Sequence, residues 1–206
     1  MKTFTTRLLL AVLISLSALN TFSQGQKHDL PKQSLCLIEN FQPVPPSVPD
    51  GTKSILSEDF SAGCPPPGWI IVGDGQTNWQ SSLTDNAGGA PPEGMFAYYP
   101  QFDGNSKLVS PQINTTGISA LVFEFKQMVN DYSGGYTLLV ETTSDGVVWN
   151  EAWSVDVTGD IEAETVSMFI DNDDVGSENF QVAFTYNGNS NNVNYWYIDD
   201  AILIEG

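Results

Sequence analysis

From about Ser54 onward, apolar and polar residues alternate with a period of two along most of the chain. The clearest runs are Leu121/Phe123/Phe125, Tyr136/Leu138/Val140 and Phe180/Val182/Phe184/Tyr186. Successive side chains of a strand point to opposite faces, so each run describes a strand with one face buried. The pattern predicts strands at 54–60, 68–72, 95–99, 106–110, 120–128, 135–142, 147–153, 163–170, 179–187 and 194–205. Turn residues separate them, as in Ser133-Gly134-Gly135, Ser144-Asp145-Gly146 and Asn187-Gly188-Asn189. No convincing helical period with caps follows residue 23. Many short strands at regular spacing imply an all-β fold, a sandwich of two antiparallel sheets in jelly-roll form.

The closing strand departs from the pattern. Trp196, Ile198, Asp200, Ile202 and Ile204 share a face by parity, which puts a carboxylate among core residues. A lone buried carboxylate costs several kcal/mol or protonates, so it calls for a cation or strong donors. In the first strand Leu56, Glu58 and Phe60 share a face, and Glu58 would meet Asp200 if the chain ends are neighbours. Asp59 and Asp199 flank the pair on the exposed face. Calcium accepts six to eight oxygen ligands in a forgiving geometry and fits such a junction as a structural ion. Two alternatives stay open: a bulge that turns Asp200 outward, or loop N–H groups that satisfy Glu58 and Asp200. The loop Gly73-Asp74-Gly75 leading into Asn78-Trp79 lacks EF-hand spacing and reads as an Asx-turn. Asp171-Asn172-Asp173-Asp174 reads as a solvated acidic turn.

The N-terminus changes the setting. Lys2 and Arg7, the apolar run 8–19 and Thr21-Phe22-Ser23 form an export signal over residues 1–23. Residues 24–53, with Pro45, Pro46 and Pro49, read as a linker, which leaves 54–206 as one domain. The chain carries 7 Lys+Arg and 25 Asp+Glu; without residues 1–23 it carries 5 and 25, a net charge of −20. That surface repels nucleic acid and anionic lipid, and direct membrane insertion is not expected. An exported chain permits a disulfide, and Cys36 and Cys64 are the two candidates.

Enzymatic chemistry finds little support. The single histidine, His28, lies in the linker, which excludes a Ser-His-Asp triad or an imidazole-held zinc within the domain. Paired carboxylates are plentiful, but nothing singles out an acid and a nucleophile. Aromatic residues exceed what the core requires. Tyr98, Tyr99, Tyr132 and Tyr197 fall near turns or on faces opposite core residues, and the Asn-rich loop around Asn189 offers amides. Rings that stack on sugars, beside amides that bond hydroxyls, point to a glycan or glycoprotein ligand. Cross-strand aromatic pairing is the structural alternative for each ring. A structural role, as a subunit of a cell-surface complex with a protein partner, is the alternative function.

Several short motifs in order resemble one family. They are Glu58-Asp59-Phe60, Pro67-Gly68-Trp69, Gly73-Asp74-Gly75 with Asn78-Trp79, Leu108-Val109-Ser110-Pro111, Leu121 to Phe125, Val140 to Gly146 with Trp149, and Trp196 to Asp200. Together they resemble the cleaved-adhesin or choice-of-anchor J domain of secreted bacterial proteins. The resemblance implies a jelly roll akin to MAM and galactose-binding-like domains, a role in adhesion or accessory binding, and secretion, with residence at the cell surface as one outcome. It also implies calcium held by Glu58, Asp59, Asp199 and Asp200. Ser144 to Trp149 is further similar to the Asp-box hairpin of sialidases, in which Asp and Trp brace a turn.

Overall fold

Strands form where an apolar residue can alternate into a shared core. The computed structural model describes residues 54–206; the expected export signal at 1–23, the expected linker at 24–53 and Cys36 of the expected disulfide lie outside the described residues. Eleven strands are present: β1 (Leu56–Glu58), β2 (Ile70–Gly73), β3 (Trp79–Ser82), β4 (Glu93–Ala97), β5 (Asp103–Val109), β6 (Leu121–Asp131), β7 (Tyr136–Thr143), β8 (Asn150–Val157), β9 (Ile161–Ile170), β10 (Gln181–Asn189) and β11 (Val193–Glu205). One sheet runs β3-β4-β11-β6-β9, with β1 added on β11; the other runs β2-β5-β10-β7-β8. Every pairing is antiparallel. The expected two-sheet sandwich is therefore the observed fold.

The core between the sheets is an aromatic stack. Phe123, Phe125, Phe184 and Trp196 are fully buried, and Phe96 stacks on Tyr186 at 4.4 Å between ring centroids. Tyr186 in turn stacks on Tyr136 at 5.0 Å. Each large ring removes roughly 150–250 Å² from water, which makes this column the main source of cohesion. The indole edges are satisfied, Trp196 Nε1 donating to Gln127 Oε1 (3.1 Å) and Trp79 Nε1 to Ser106 Oγ (3.0 Å), whereas the Tyr136 hydroxyl is buried without a partner. The strand β3 has no alternating pattern beyond Trp79 and was not expected. It forms because Trp79 reaches the core opposite Phe96 and its backbone pairs with β4.

The closing strand corrects the parity expectation. Against β6, Asp199 faces Lys126 and Ile202 faces Glu124, so Asp200 and Ala201 together oppose Phe125. The extra residue is a β-bulge, and Asp200 takes φ 46°, in the left-handed region. Parity reverses across it: Trp196 and Ile198 face the core before the bulge, Ala201 and Leu203 after it. Asp200 is consequently turned outward, not inward. Asp199, expected on an exposed face, is buried completely. The same bulge divides the pairing on the other edge of β11, where β4 covers Tyr195 to Ile198 and β1 covers Ala201 to Leu203.

Asp200 tolerates the left-handed conformation because a short polar side chain adapts to it; a β-branched residue does not. Asp200→Gly removes the backbone penalty and the exposed ion pair to Lys126 together, and the unfolding free energy is expected to stay within about 0.5 kcal/mol of wild type. Asp200→Val is expected to cost about 1–3 kcal/mol. Urea unfolding separates the two; equal midpoints for Gly and Val would contradict the bulge.

Candidate functional site

Two places in the domain carry polar groups that the fold alone does not account for. The first lies on the outer face of the β3-β4-β11-β6-β9 sheet. Gly94 pairs with Ile198, so Glu93 and Asp199 stand side by side on that face, beneath the loop 83–92. Glu93 is buried and fully engaged: Oε1 accepts Thr84 Oγ1 (2.6 Å) and Asn86 N–H (2.9 Å), and Oε2 accepts Ala87 N–H (2.7 Å). Lys126 Nζ pins the same loop, donating to Gly88 O (3.1 Å) and pairing with Asp200 Oδ2 (2.7 Å). Gly89 sits so close over Asp199 Oδ2 that any side chain there would collide with it.

Asp199 is the exception in this cluster. Its Oδ1 accepts Asp200 N–H (2.8 Å), but its Oδ2 is buried without a donor. Burial pushes this carboxyl up to about 6; the negative charges of Asp200 and Glu93 act in the same direction, against the Asp200 amide and Lys126. An acid raised in the folded state stabilises the fold only while protonated. That contribution is complete below the ordinary value of 3.8 and is lost as pH rises through about 6. Above that pH, a charged oxygen without a partner is a standing cost that a cation would relieve.

The four expected metal ligands are placed differently from one another. Glu58 pairs in register with Ala201, and its Oε1 accepts Phe60 N–H (2.8 Å), a loop donor of the kind left open above. Burial raises its carboxyl, assisted by Asp59 and opposed by that amide. Asp59 is exposed, and the Ser61 hydroxyl and amide hold its carboxyl below the usual range. Asp200 is spent on Lys126. Among the described residues, no three His, Cys, Asp or Glu side chains form a metal-holding group by themselves. A cation at Asp199 Oδ2 would need backbone carbonyls and water to complete its shell, a mixture that calcium accepts.

The second place is a groove at the other end of β11. Tyr98, Tyr132, Asn191, Val193, Asn194 and Tyr195 line a cavity of about 390 Å³. Such a volume lies within the range of small-ligand sites, roughly 300–1,000 Å³. Three segments meet here, and hydrogen bonds fix each to the next. Asn78 Nδ2 donates to Ala97 O (2.7 Å) and Pro100 O (2.9 Å), bracketing Tyr98 and Tyr99. Ser190 Oγ donates to Tyr98 O (2.9 Å) and accepts Phe102 N–H (2.9 Å), tying the β4–β5 loop to the β10–β11 turn. Tyr132 N–H donates to Asn192 O (3.1 Å), and Asn194 Nδ2 donates to Asn130 Oδ1 (2.7 Å) and Asp131 O (2.9 Å).

Of the expected ligand residues, Tyr98 and Tyr132 share the groove and are 42% and 68% exposed. Tyr99, also 68% exposed, lies beside Tyr98 at 6.3 Å between ring centroids, outside the lining. Asn189 caps the 3-10 turn Ser190–Asn192 through Asn191 N–H (3.0 Å) and does not line the groove. Asn191 and Asn194 supply the amides there instead. Tyr195 was missed, although its parity opposite Trp196 marks it as outward-facing. Tyr197, which shares that parity, is covered and only 8% exposed.

Other motifs resolve as structure. Asp145 Oδ1 accepts Val147 and Val148 N–H (both 2.8 Å), bracing the Asp-box-like hairpin, while Lys107 lies over the Trp149 ring at 5.1 Å. The loop after Gly73 closes through Asn78 N–H to Gly75 O (3.0 Å). Asp174 corrects the solvated-turn expectation: it is buried and accepts Thr142 Oγ1 (2.6 Å) and Asn150 Nδ2 (3.0 Å). Among the described residues, no helix is long and apolar enough to cross a membrane.

No family model matches the chain, and no curated protein matches its sequence. Solved structures do match. The K1 cleaved adhesin domain of Lys-gingipain from Porphyromonas gingivalis W83 aligns with a TM-score of 0.55 at 17% identity, over 73% of this chain and 98% of that one. The K3 cleaved adhesin domain of the same protein aligns at 0.52 and 19% identity, over 75% of this chain and 100% of that one. TmCBM61, solved in complex with β-1,4-galactotriose, aligns at 0.52 and 17% identity, over 75% and 100%. At these identities the likeness is one of fold.

Proposed function

We propose that this protein is an exported, non-catalytic adhesion module that binds a glycan or the glycan of a glycoprotein in the tyrosine groove. The observation that carries this reading is the groove's composition and rigidity. Tyr98, Tyr132 and Tyr195 offer ring faces, Asn191 and Asn194 offer amides, and three hydrogen-bonded segments hold them in place. A ring face removes the apolar side of a pyranose from water, and an amide both donates to and accepts from sugar hydroxyls. Preorganisation of this kind lowers the ordering cost of binding. The adhesin domains and the galactotriose-bound module that share the fold support the same reading. A glycoside hydrolase is disfavoured by the burial of the best-placed acidic pair: both oxygens of Glu93 are taken by its own loop, and Asp199 is fully buried beneath Gly89, out of a substrate's reach. In a glycan array, Tyr98→Ala and Tyr132→Ala are expected each to weaken binding by about tenfold or more without lowering the melting temperature, consistent with stacking worth roughly 1–3 kcal/mol per ring. Unchanged binding in both variants would refute the groove as the seat. Capture of one protein partner with no glycan bound would favour the assembly reading.

The second part of the proposal is a structural calcium at Asp199, beside the carboxylates of Glu93 and Asp200; Glu58 and Asp59, expected in the same set, accept amides of their own loop instead. Its support is the donor-less Oδ2 of Asp199, which neutral pH leaves charged. When bound, the ion supplies the countercharge that the buried oxygen lacks. A ligand that selects the folded state raises apparent stability by about 2.7 kcal/mol at a hundredfold excess over its dissociation constant. At pH 7.5, chelator is therefore expected to lower the melting temperature of the wild type and to leave Asp199→Asn unmoved. A melting curve indifferent to chelator, with no calcium recovered by elemental analysis, would remove the ion.

A further inference from the structure

We infer that Asp131 and Asp160 give the tyrosine groove a negative rim that selects uncharged saccharides and rejects uronic, sialylated or sulfated ones. This rests on the groove being the saccharide seat. Asp131 directly precedes Tyr132, pairs in register with the lining residue Val193, and receives the Asn194 amide on its backbone carbonyl. Asp160 is joined to it, Oδ1 accepting Asp131 N–H at 2.8 Å, while Asp131 Oδ1 accepts Gly134 N–H at 2.9 Å. Neither carboxylate lines the cavity: Asp131 is turned into the β6–β7 turn that presents Tyr132 and Asp160 is bonded to its amide, so both act on the groove through space rather than by contact. The buried hydroxyls behind the groove register the same field. After burial itself, Asp131 and Asp160 raise Tyr136, and Asp131 and Asp103 raise Tyr186.

Among the described residues, no cation stands against these charges. Lys107 and Lys126 are the only basic residues among the described ones, against 22 Asp and Glu over the same span 54–206. Lys107 lies in the other sheet, nearly buried against Glu141 and Thr185. Lys126 is committed to Asp200 and Gly88 O. The lining residue Tyr195 stands opposite Asn130, four residues along the strand from Lys126, so this lysine is about 13 Å from the near edge of the groove. With a Debye length of about 8 Å at physiological salt, a paired charge at that distance is largely screened from the groove, whereas Asp131 directly precedes the lining residue Tyr132. A carboxylate or sulfate on the ligand would meet like charge with no Arg or Lys among the described residues to receive it.

The test compares neutral manno-, gluco- and galacto-oligosaccharides with oligomannuronates, oligoglucuronates and oligogalacturonates of the same length, by calorimetry in low and high salt. Neutral oligomers are expected to bind about tenfold or more tightly than their uronic counterparts in low salt, with the gap narrowing as salt rises. The Asp131→Asn/Asp160→Asn variant keeps both acceptor oxygens and is expected to close the gap while leaving neutral binding in place. Equal binding of the uronic set by the wild type, or a gap that the double variant does not change, would overturn the selection alone. Failure of every neutral oligomer to bind would instead overturn the groove reading beneath it.

Discussion

One extra residue in β11 sets the geometry on which the rest of the domain depends. Because Asp200 and Ala201 together oppose Phe125, the strand changes faces at its midpoint. Without that change, the strand that places Trp196 and Ile198 in the core would place Asp200, Ile202 and Ile204 there too. With it, Ala201 and Leu203 fill the inner positions and both halves of an unusually long strand bury apolar side chains. The bulge also marks the boundary between two partners on one edge. β4 pairs before it, β1 after it, and the chain's first described strand is thereby fastened to its last.

The two candidate sites follow from this arrangement at opposite ends of β11. At the bulge, the outer face takes Asp199, and the loop 83–92 closes over it through Glu93 and Lys126, leaving one carboxylate oxygen without a donor. Toward the start of β11, the sheet ends where the 3-10 turn Ser190–Asn192 meets the β4–β5 and β6–β7 loops. The buried aromatic column of Phe96, Tyr186 and Tyr136 runs beneath those loops. Tyr186 Oη donates to Asn189 O (2.8 Å), so the core itself fixes the turn that carries Asn191 and leads into Asn194 on β11. Binding groups on hydrogen-bonded loops over a rigid sandwich can be presented without a large ordering cost.

Much of this was legible in the sequence, for reasons of period. Ten of the eleven strands sit where alternation or a bounded apolar run marks them, because a half-buried sheet imposes a period of two. The exception, β3, has one apolar residue in four, and only the tertiary contact of Trp79 makes it a strand. Parity also failed in one place for one reason: it is local, and a single inserted residue inverts everything after it. The sequence did flag Asp199-Asp200 as a conflict with the core, and the bulge is how the fold resolves it. Side-chain commitments were not legible at all. Asn189 was expected at the ligand and is spent on a cap, while Asp174 was expected in solvent and is spent on Thr142 and Asn150. Those assignments depend on partners distant in the chain, which no local pattern reveals.

The bulge makes one statement that can be read residue by residue: Asp199, not Asp200, is the buried carboxyl. A carbon-13 titration of the aspartate side chains in calcium-free buffer tests it most directly, with Asp199 identified by the resonance lost in Asp199→Asn. The account predicts that this resonance titrates at about pH 6, raised by burial beneath the loop 83–92. An Asp199 resonance titrating in the ordinary range near 3.8 would contradict it.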